Sequence, residues 1–234
     1  MAHRGPFVVI EGLDRSGKST QAEALIKRLQ DEKIPSKLIK FPDRSTPIGK
    51  LIDSYLRSES ELDDHVVHLL FSANRWEVAS SIVKDLQAGT LVLCDRYAFS
   101  GIAFSASKLK PDSPEPPLAY EWCRAPDVSL PAPDLTLFLD ILPEKAKERG
   151  GFGEERYEKE EVQERVRVIF DRIGEEVESA GAGRWLVLDG GLDQEEVEKS
   201  IWAEVKPLTK GTTAPIQKLW DKTREAAMLS ALYI

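Results

Sequence analysis

Five short apolar runs of strand-forming composition punctuate the chain, at 7–11, 36–41, 90–95, 135–140 and 185–189, each close to a Gly, Pro or Asp that breaks it. Longer stretches with apolar residues three and four apart lie between them. Such alternation is the sequence form of an α/β fold with a mostly parallel sheet. Between the second and third runs, Leu62, Val66, Leu69, Leu70, Ala73, Trp76, Val83 and Leu86 keep helical spacing, which predicts a long amphipathic helix that Gly89 ends. The proline-rich 111–117 stretch suits neither helix nor central strand and reads as a surface loop. The segment 216–232 is predicted to be a closing helix of mixed charge. No repeat or linker is visible.

Composition narrows this picture. A chain of 234 residues that is 41% apolar and 31% charged is expected to form one globular domain over 1–234. No apolar run approaches the roughly 20 residues that cross a bilayer, and residues 1–6 lack the order of a signal peptide, so no membrane partner is expected and the location is expected to be intracellular. The net charge of −8 argues against a nucleic-acid partner, which calls for a basic stripe along successive phosphates. A small phosphorylated ligand needs only a local cluster of Arg and Lys. Cys94 and Cys123 have no metal-ligand spacing and read as free buried thiols.

Chemistry enters directly after the first strand. Gly12-Leu13-Asp14-Arg15-Ser16-Gly17-Lys18-Ser19 matches G-x-x-x-x-G-K-[ST] in the strand-to-helix setting that gives the pattern meaning. Glycines let the backbone wrap an anion, its N–H groups point inward, and the following helix adds its positive end. Lys18 is expected on the β and γ phosphates of a bound nucleotide, and Ser19 on Mg²⁺ with Asp95, at the end of the third strand, beside it. Such a loop serves kinases, mechanical NTPases and GTP switches alike. The Asn/Thr-Lys-x-Asp sequence by which guanine switches read their base is absent. Arg15 inside the loop, Arg44 after the second strand and Arg96 after Asp95 all fall at strand C-terminal ends, where open α/β sheets bind ligands. Phe71 and Arg75, four apart on the long helix, could stack on a planar base and bond its edge, or could be a half-buried ring beside a solvent-directed charge. His65 and His68 have metal-compatible spacing but no third ligand nearby.

Taken together, Gly12 to Thr20, Phe41-Pro42-Asp43-Arg44, Phe71-Ser72-Ala73-Asn74-Arg75-Trp76 and Asp95-Arg96-Tyr97 resemble the eukaryotic-type thymidylate kinase family. The resemblance continues through Ser100 to Phe104, Pro126-Asp127, Leu130-Pro131 and the glycine-rich segment Arg149 to Glu158. It implies the P-loop nucleoside monophosphate kinase fold, a five-stranded parallel sheet flanked by helices, and transfer of the γ-phosphoryl of ATP to dTMP, giving dTDP for dTTP synthesis. A lid at about 145–158, with Gly150, Gly151 and Gly153 as its flexible points, would close over ATP. ATP would be held by Gly12, Arg15, Ser16, Gly17, Lys18, Ser19 and Thr20, with Arg149 toward the adenine. Arg15 would be the transition-state arginine; Arg156 has no assigned role.

For dTMP the resemblance implies Phe71 stacked on thymine, Arg75 on its carbonyl edge, and Arg44 and Arg96 on the acceptor phosphate. Asp14 would accept from the 3′-hydroxyl, or else only brace its own loop. Tyr157 would disfavour a ribose 2′-hydroxyl, while Phe41, Gly101, Phe104 and Gln163 complete the wall. A homodimer through the long helices is also implied, and within the intracellular location expected above both cytoplasm and nucleus stay open. Two other readings stand beside this one: a deoxyribonucleoside kinase with Asp43 as base, and a nucleotide-binding regulator without turnover.

Overall fold

The computed structural model describes residues 3–109, 116–149, 157, 160–181 and 183–221. Five strands form one parallel sheet in the order β2-β3-β1-β4-β5: β1 (Phe7–Gly12), β2 (Ser36–Lys40), β3 (Leu91–Asp95), β4 (Leu135–Asp140) and β5 (Arg184–Asp189). They match the five apolar runs to within a residue at either end. Phe7 to Ile10 and Val92 to Cys94 are wholly buried, as strands covered on both faces must be, whereas the edge strands β2 and β5 are half-buried or exposed apart from Trp185.

Successive side chains of a strand point to opposite faces, and this splits the core in two. Val8, Ile10, Leu93, Leu137 and Leu139 face α1 (Lys18–Asp31) and α8 (Gln194–Val205). Phe7, Val9, Val92, Cys94 and Phe138 face α3 (Asp64–Gln87), α4 (Ala98–Ala106) and α7 (Glu160–Ala180). A smaller cluster of Ile52, Tyr55, Leu56 and Val67 joins α2 (Pro47–Leu56) to α3. The remaining helices, α5 (Tyr120–Arg124) and α6 (Pro143–Glu148), are short. The five-stranded parallel sheet flanked by helices that the resemblance implies is the architecture found.

The long helix is α3, and Gly89 ends it in a left-handed conformation, φ 86°, with its N–H on the Leu86 carbonyl. Its orientation differs from a simple amphipathic reading. Val66, Leu69 and Trp76 of the apolar stripe are exposed, and the inner face is polar at His68, Ser72 and Arg75 before turning apolar at Ala79, Ile82 and Leu86. That face passes from a pocket wall into the core, so one helix face carries both chemistries.

The closing helix expected over 216–232 is a correction. Over its described part, 216–221, the chain is not helical: Leu219 N–H donates to the Leu130 carbonyl at 2.8 Å and Ala132 N–H to the Gln217 carbonyl at 2.8 Å. Those backbone groups are satisfied against the 130–132 segment instead of within a helix. Residues 222–232 of that expectation, 111–115 of the proline-rich loop, and Gly150, Gly151, Gly153 and Arg156 of the expected lid lie outside the described residues.

Candidate active site

The loop after β1 is shaped by its backbone. Gly12 has φ 151°, and a Cβ there would sit 2.4 Å from the Leu139 carbonyl oxygen; Gly17 has φ 90°, and Arg15 takes the left-handed region at φ 62°. The N-terminus of α1, with no side chain capping it, opens on this loop. Free N–H groups and the helix dipole there make an anion site. Lys18 is buried and bonds the Leu13 carbonyl and, at 3.3 Å, the Ser16 hydroxyl. Burial, with the charge of Arg96 second, pulls its ammonium down to about 7.

The metal expectation can be tested on the donor set. Ser19 donates to Asp95 Oδ2 at 2.6 Å, and the Lys40 ammonium lies 2.9 Å from Ser19 Oγ and 3.5 Å from the same carboxylate oxygen. A cation thus already sits against the hydroxyl and carboxylate expected to serve Mg²⁺. The pair fits the ion.

One cavity of about 490 Å³ runs from the loop to the groove between α3 and α4. Its wall brings together Asp14, Arg15, Gly17, Lys18, Ser19, Thr20, Phe41, Arg44, Phe71, Arg75, Asp95, Arg96, Gly101, Phe104 and Tyr157. Ser16 and Arg149 line an adjoining cavity of about 430 Å³ with Gly17, Thr20 and Gly190 to Gln194. There Arg149 donates to the Arg15 carbonyl at 3.0 Å and the Gly190 carbonyl at 2.6 Å. Gly12 shapes the loop from beneath. Gln163 stands behind the wall: its amide donates to Asp14 Oδ2 at 2.8 Å and accepts from Asp14 N–H at 2.9 Å. Asp14 Oδ1 is paired with Arg96. Its carboxylate therefore ties the loop to α7 and to Arg96 in this structure.

A model of the family described as thymidylate kinase matches residues 10–201. A thymidylate kinase of Schizosaccharomyces pombe is 48% identical over 199 residues, 85% of this chain and 90% of that one; the human thymidylate kinase is 41% identical over 220 residues, 94% and 99%. The solved structure of the Candida albicans thymidylate kinase superposes with a TM-score of 0.82 at 39% identity, covering 93% of this chain and 99% of that one. The chain belongs to the thymidylate kinase family.

As a member of that family, a nucleotide kinase, it has site residues to which the motif reading gave no role. Glu11, a lone carboxylate in an otherwise apolar strand, accepts from Tyr97 N–H at 2.8 Å, Ser100 N–H at 3.0 Å and Ser100 Oγ at 2.5 Å. Burial raises its pKa, opposed by these donors and by Arg96. Ser100 Oγ in turn accepts from Arg96 at 3.0 Å, so Glu11 holds the turn in which Arg96 sits at φ 66°. Asp127 is the second. It is 0% exposed and takes both Nε, at 3.1 Å, and a terminal nitrogen, at 2.6 Å, of Arg75, which is 2% exposed, and accepts from Ser72 at 2.8 Å. Arg75 is thus not the solvent-directed charge of the alternative reading. The carboxylate of Glu11, within an apolar strand, was a usable signal; nothing local marked Asp127 as the partner of Arg75, 52 positions away.

Two other expectations separate here. His65 is exposed beside Asp63, while the ring nitrogens of His68 are bonded to Ser105 and to a backbone carbonyl, so the two do not converge. Asp43 does not line the cavity; its carboxylate accepts from Ser45 N–H at 3.0 Å and Ser45 Oγ at 2.6 Å, bracing the loop that carries Arg44. A base at Asp43, which the deoxyribonucleoside kinase reading needs, is not offered to the cavity.

Proposed function

We propose that this thymidylate kinase brings ATP and dTMP into line through charges set on one cavity wall, each residue acting as its position supports. The loop N–H groups and α1 hold the donor phosphates, with Lys18 on the β and γ oxygens, Thr20 and Ser16 at the loop's outer edge, and Arg149 toward the adenine in the adjoining cavity. Lys18, neutral for part of the time without nucleotide, is fully charged once a polyanion lies against it. When bound, Mg²⁺ offsets charge on the β and γ oxygens, and the Ser19 hydroxyl and the Asp95 carboxylate would hold it, directly or through water.

On the acceptor side, Arg44 and Arg96 hold the dTMP phosphate, Phe71 stacks on thymine and Arg75 donates to its carbonyl edge. Phe41, Gly101, Phe104 and Tyr157 close around the sugar and base, with Tyr157 crowding the 2′ position. Asp14, braced by Gln163, faces the 3′-hydroxyl. The attacking atom is a phosphate oxygen that is already anionic, so no general base is needed, and rate comes from positioning and from Arg15 against the transferring phosphoryl. Closure of the segment at about 145–158 keeps water from the γ-phosphate. The exposed Val66, Leu69 and Trp76 face of α3 pairs with a second copy, giving a homodimer of one-domain protomers in the cytoplasm or nucleus.

The observation that supports this reading most is that Arg15, Lys18, Arg44 and Arg96 line a single cavity together with Phe71 and Arg75. Four cations suit two polyanions and exceed what a neutral nucleoside needs. The test is to identify the product formed from ATP and Mg²⁺ with dTMP or thymidine offered separately. Formation of dTDP from dTMP, with thymidine left untouched, is expected; phosphorylation of thymidine but not dTMP would overturn it.

A further inference from the structure

The polar edge of the base pocket contains a group that no motif marks. Ser105 is on α4, one turn beyond Gly101, and lines the cavity. A Cβ on Gly101 would lie 2.8 Å from the Arg75 guanidinium, and Ser105 follows one turn later on the same face of α4, so the two side chains line one stretch of the cavity wall. Behind Ser105 is His68, wholly buried, with Nδ1 2.8 Å from Ser105 Oγ and Nε2 2.8 Å from the Cys123 carbonyl oxygen.

The proton positions follow from what each partner can do. A carbonyl oxygen only accepts, so Nε2 carries a proton. Burial, with the positive charge of Arg75 second, pulls His68 down to about 4, which leaves the ring neutral at physiological pH. Nδ1 then has only a lone pair, and the Ser105 hydroxyl must donate its single proton to it. What remains of Ser105 Oγ is acceptor only. Asp127 acts likewise on Arg75: it occupies Nε and one terminal nitrogen, and the other terminal nitrogen is left as a donor beside Gly101.

We infer that Ser105 Oγ, fixed as an acceptor by His68, accepts the N3–H of the thymine base while Arg75 donates to O4, so that a donor and an acceptor side by side read the pyrimidine. Thymine and uracil match this pair. Cytosine reverses both: its 4-amino group meets Arg75 and its N3 lone pair meets Ser105, leaving buried polar groups unpaired on both sides. Ser105 is then a specificity-determining residue and His68 a positioning residue that acts through it. The inference rests on dTMP being the acceptor.

Its test is kcat and KM for dTMP and dCMP in the wild type, Ser105→Ala and His68→Gln, together with the ¹⁵N spectrum of the His68 ring in the unaltered protein. Ser105→Ala is expected to raise KM for dTMP about tenfold, with kcat nearly unchanged and dCMP no worse, so that preference falls about tenfold. His68→Gln keeps a donor for the Cys123 carbonyl and frees the Ser105 proton to meet cytosine N3; preference falls because dCMP improves. The spectrum should show Nε2 protonated and Nδ1 bare at neutral pH. An unaltered dTMP-to-dCMP preference in Ser105→Ala, an equal loss for both nucleotides, or a protonated Nδ1 would overturn the inference while leaving the kinase reading intact. A wild type that makes no dTDP would overturn that reading, and this one with it.

Discussion

The two ends of the cavity hold charge out of water by different means. At the donor end, the loop from Gly12 to Ser19 is made of backbone: three residues at positive φ, N–H groups and a helix start, all within eight positions. At the base end, Arg75 and His68 are buried side chains whose partners, Asp127, Ser105 and Cys123, are 37 to 55 positions away. A site built from backbone is encoded by its local sequence and costs little to assemble once the strand and helix exist. One built from buried side chains depends on each distant partner, because an unpaired buried charge is expensive.

Substitutions should separate the two ends, beginning with the largest effect. Arg15→Ala should lower kcat by about 10³-fold, as expected for an arginine that meets charge only in the transition state, with urea stability nearly unchanged. Asp127→Ala should do the reverse in kind: it strands the Arg75 guanidinium and should cost about 3–5 kcal/mol in urea unfolding, with Asp127→Asn costing less. Stability retained in Asp127→Ala would mean that the base end does not depend on its ion pair.

Glu11 links the ends, and Glu11→Gln sharpens the contrast. The amide cannot accept from all three donors, so a loss of about 1–3 kcal/mol is expected, together with a raised KM for dTMP as Arg96 loosens. The last prediction concerns pH. Lys18 sits near 7 in the folded, nucleotide-free protein against 10.5 ordinarily, so between those values the unfolded chain holds a proton that the folded one lacks. Stability relative to Lys18→Met should therefore rise as pH goes from about 7 to 9, read as the difference in urea midpoints.

This contrast also explains what the sequence revealed. The loop, the strands and the helix stop at Gly89 are local, and each was legible. Residues 216–221 were not: Ile216, Leu219 and Trp220 have helical spacing, but Leu219 enters the core and the backbone pairs with 130–132. The face of α3 misled for a related reason. Apolar spacing assumes that the inside is apolar, yet at His68, Ser72 and Arg75 the inside is a polar pocket wall, and Val66, Leu69 and Trp76 are turned outward. The aromatic and guanidinium at Phe71 and Arg75 were visible as a pair; that Asp127 fixes one of them was not, since only folding brings the two together.

The division of labour can be measured most directly by determining kcat and KM for dTMP side by side in Arg15→Ala and Phe71→Ala. The account predicts that Arg15→Ala loses kcat with KM for dTMP nearly constant, while Phe71→Ala raises KM by the equivalent of about 1–3 kcal/mol of stacking with kcat largely kept. If both variants lose kcat alike, or if Phe71→Ala leaves KM unchanged, the loop and the base pocket do not have the separate roles assigned to them.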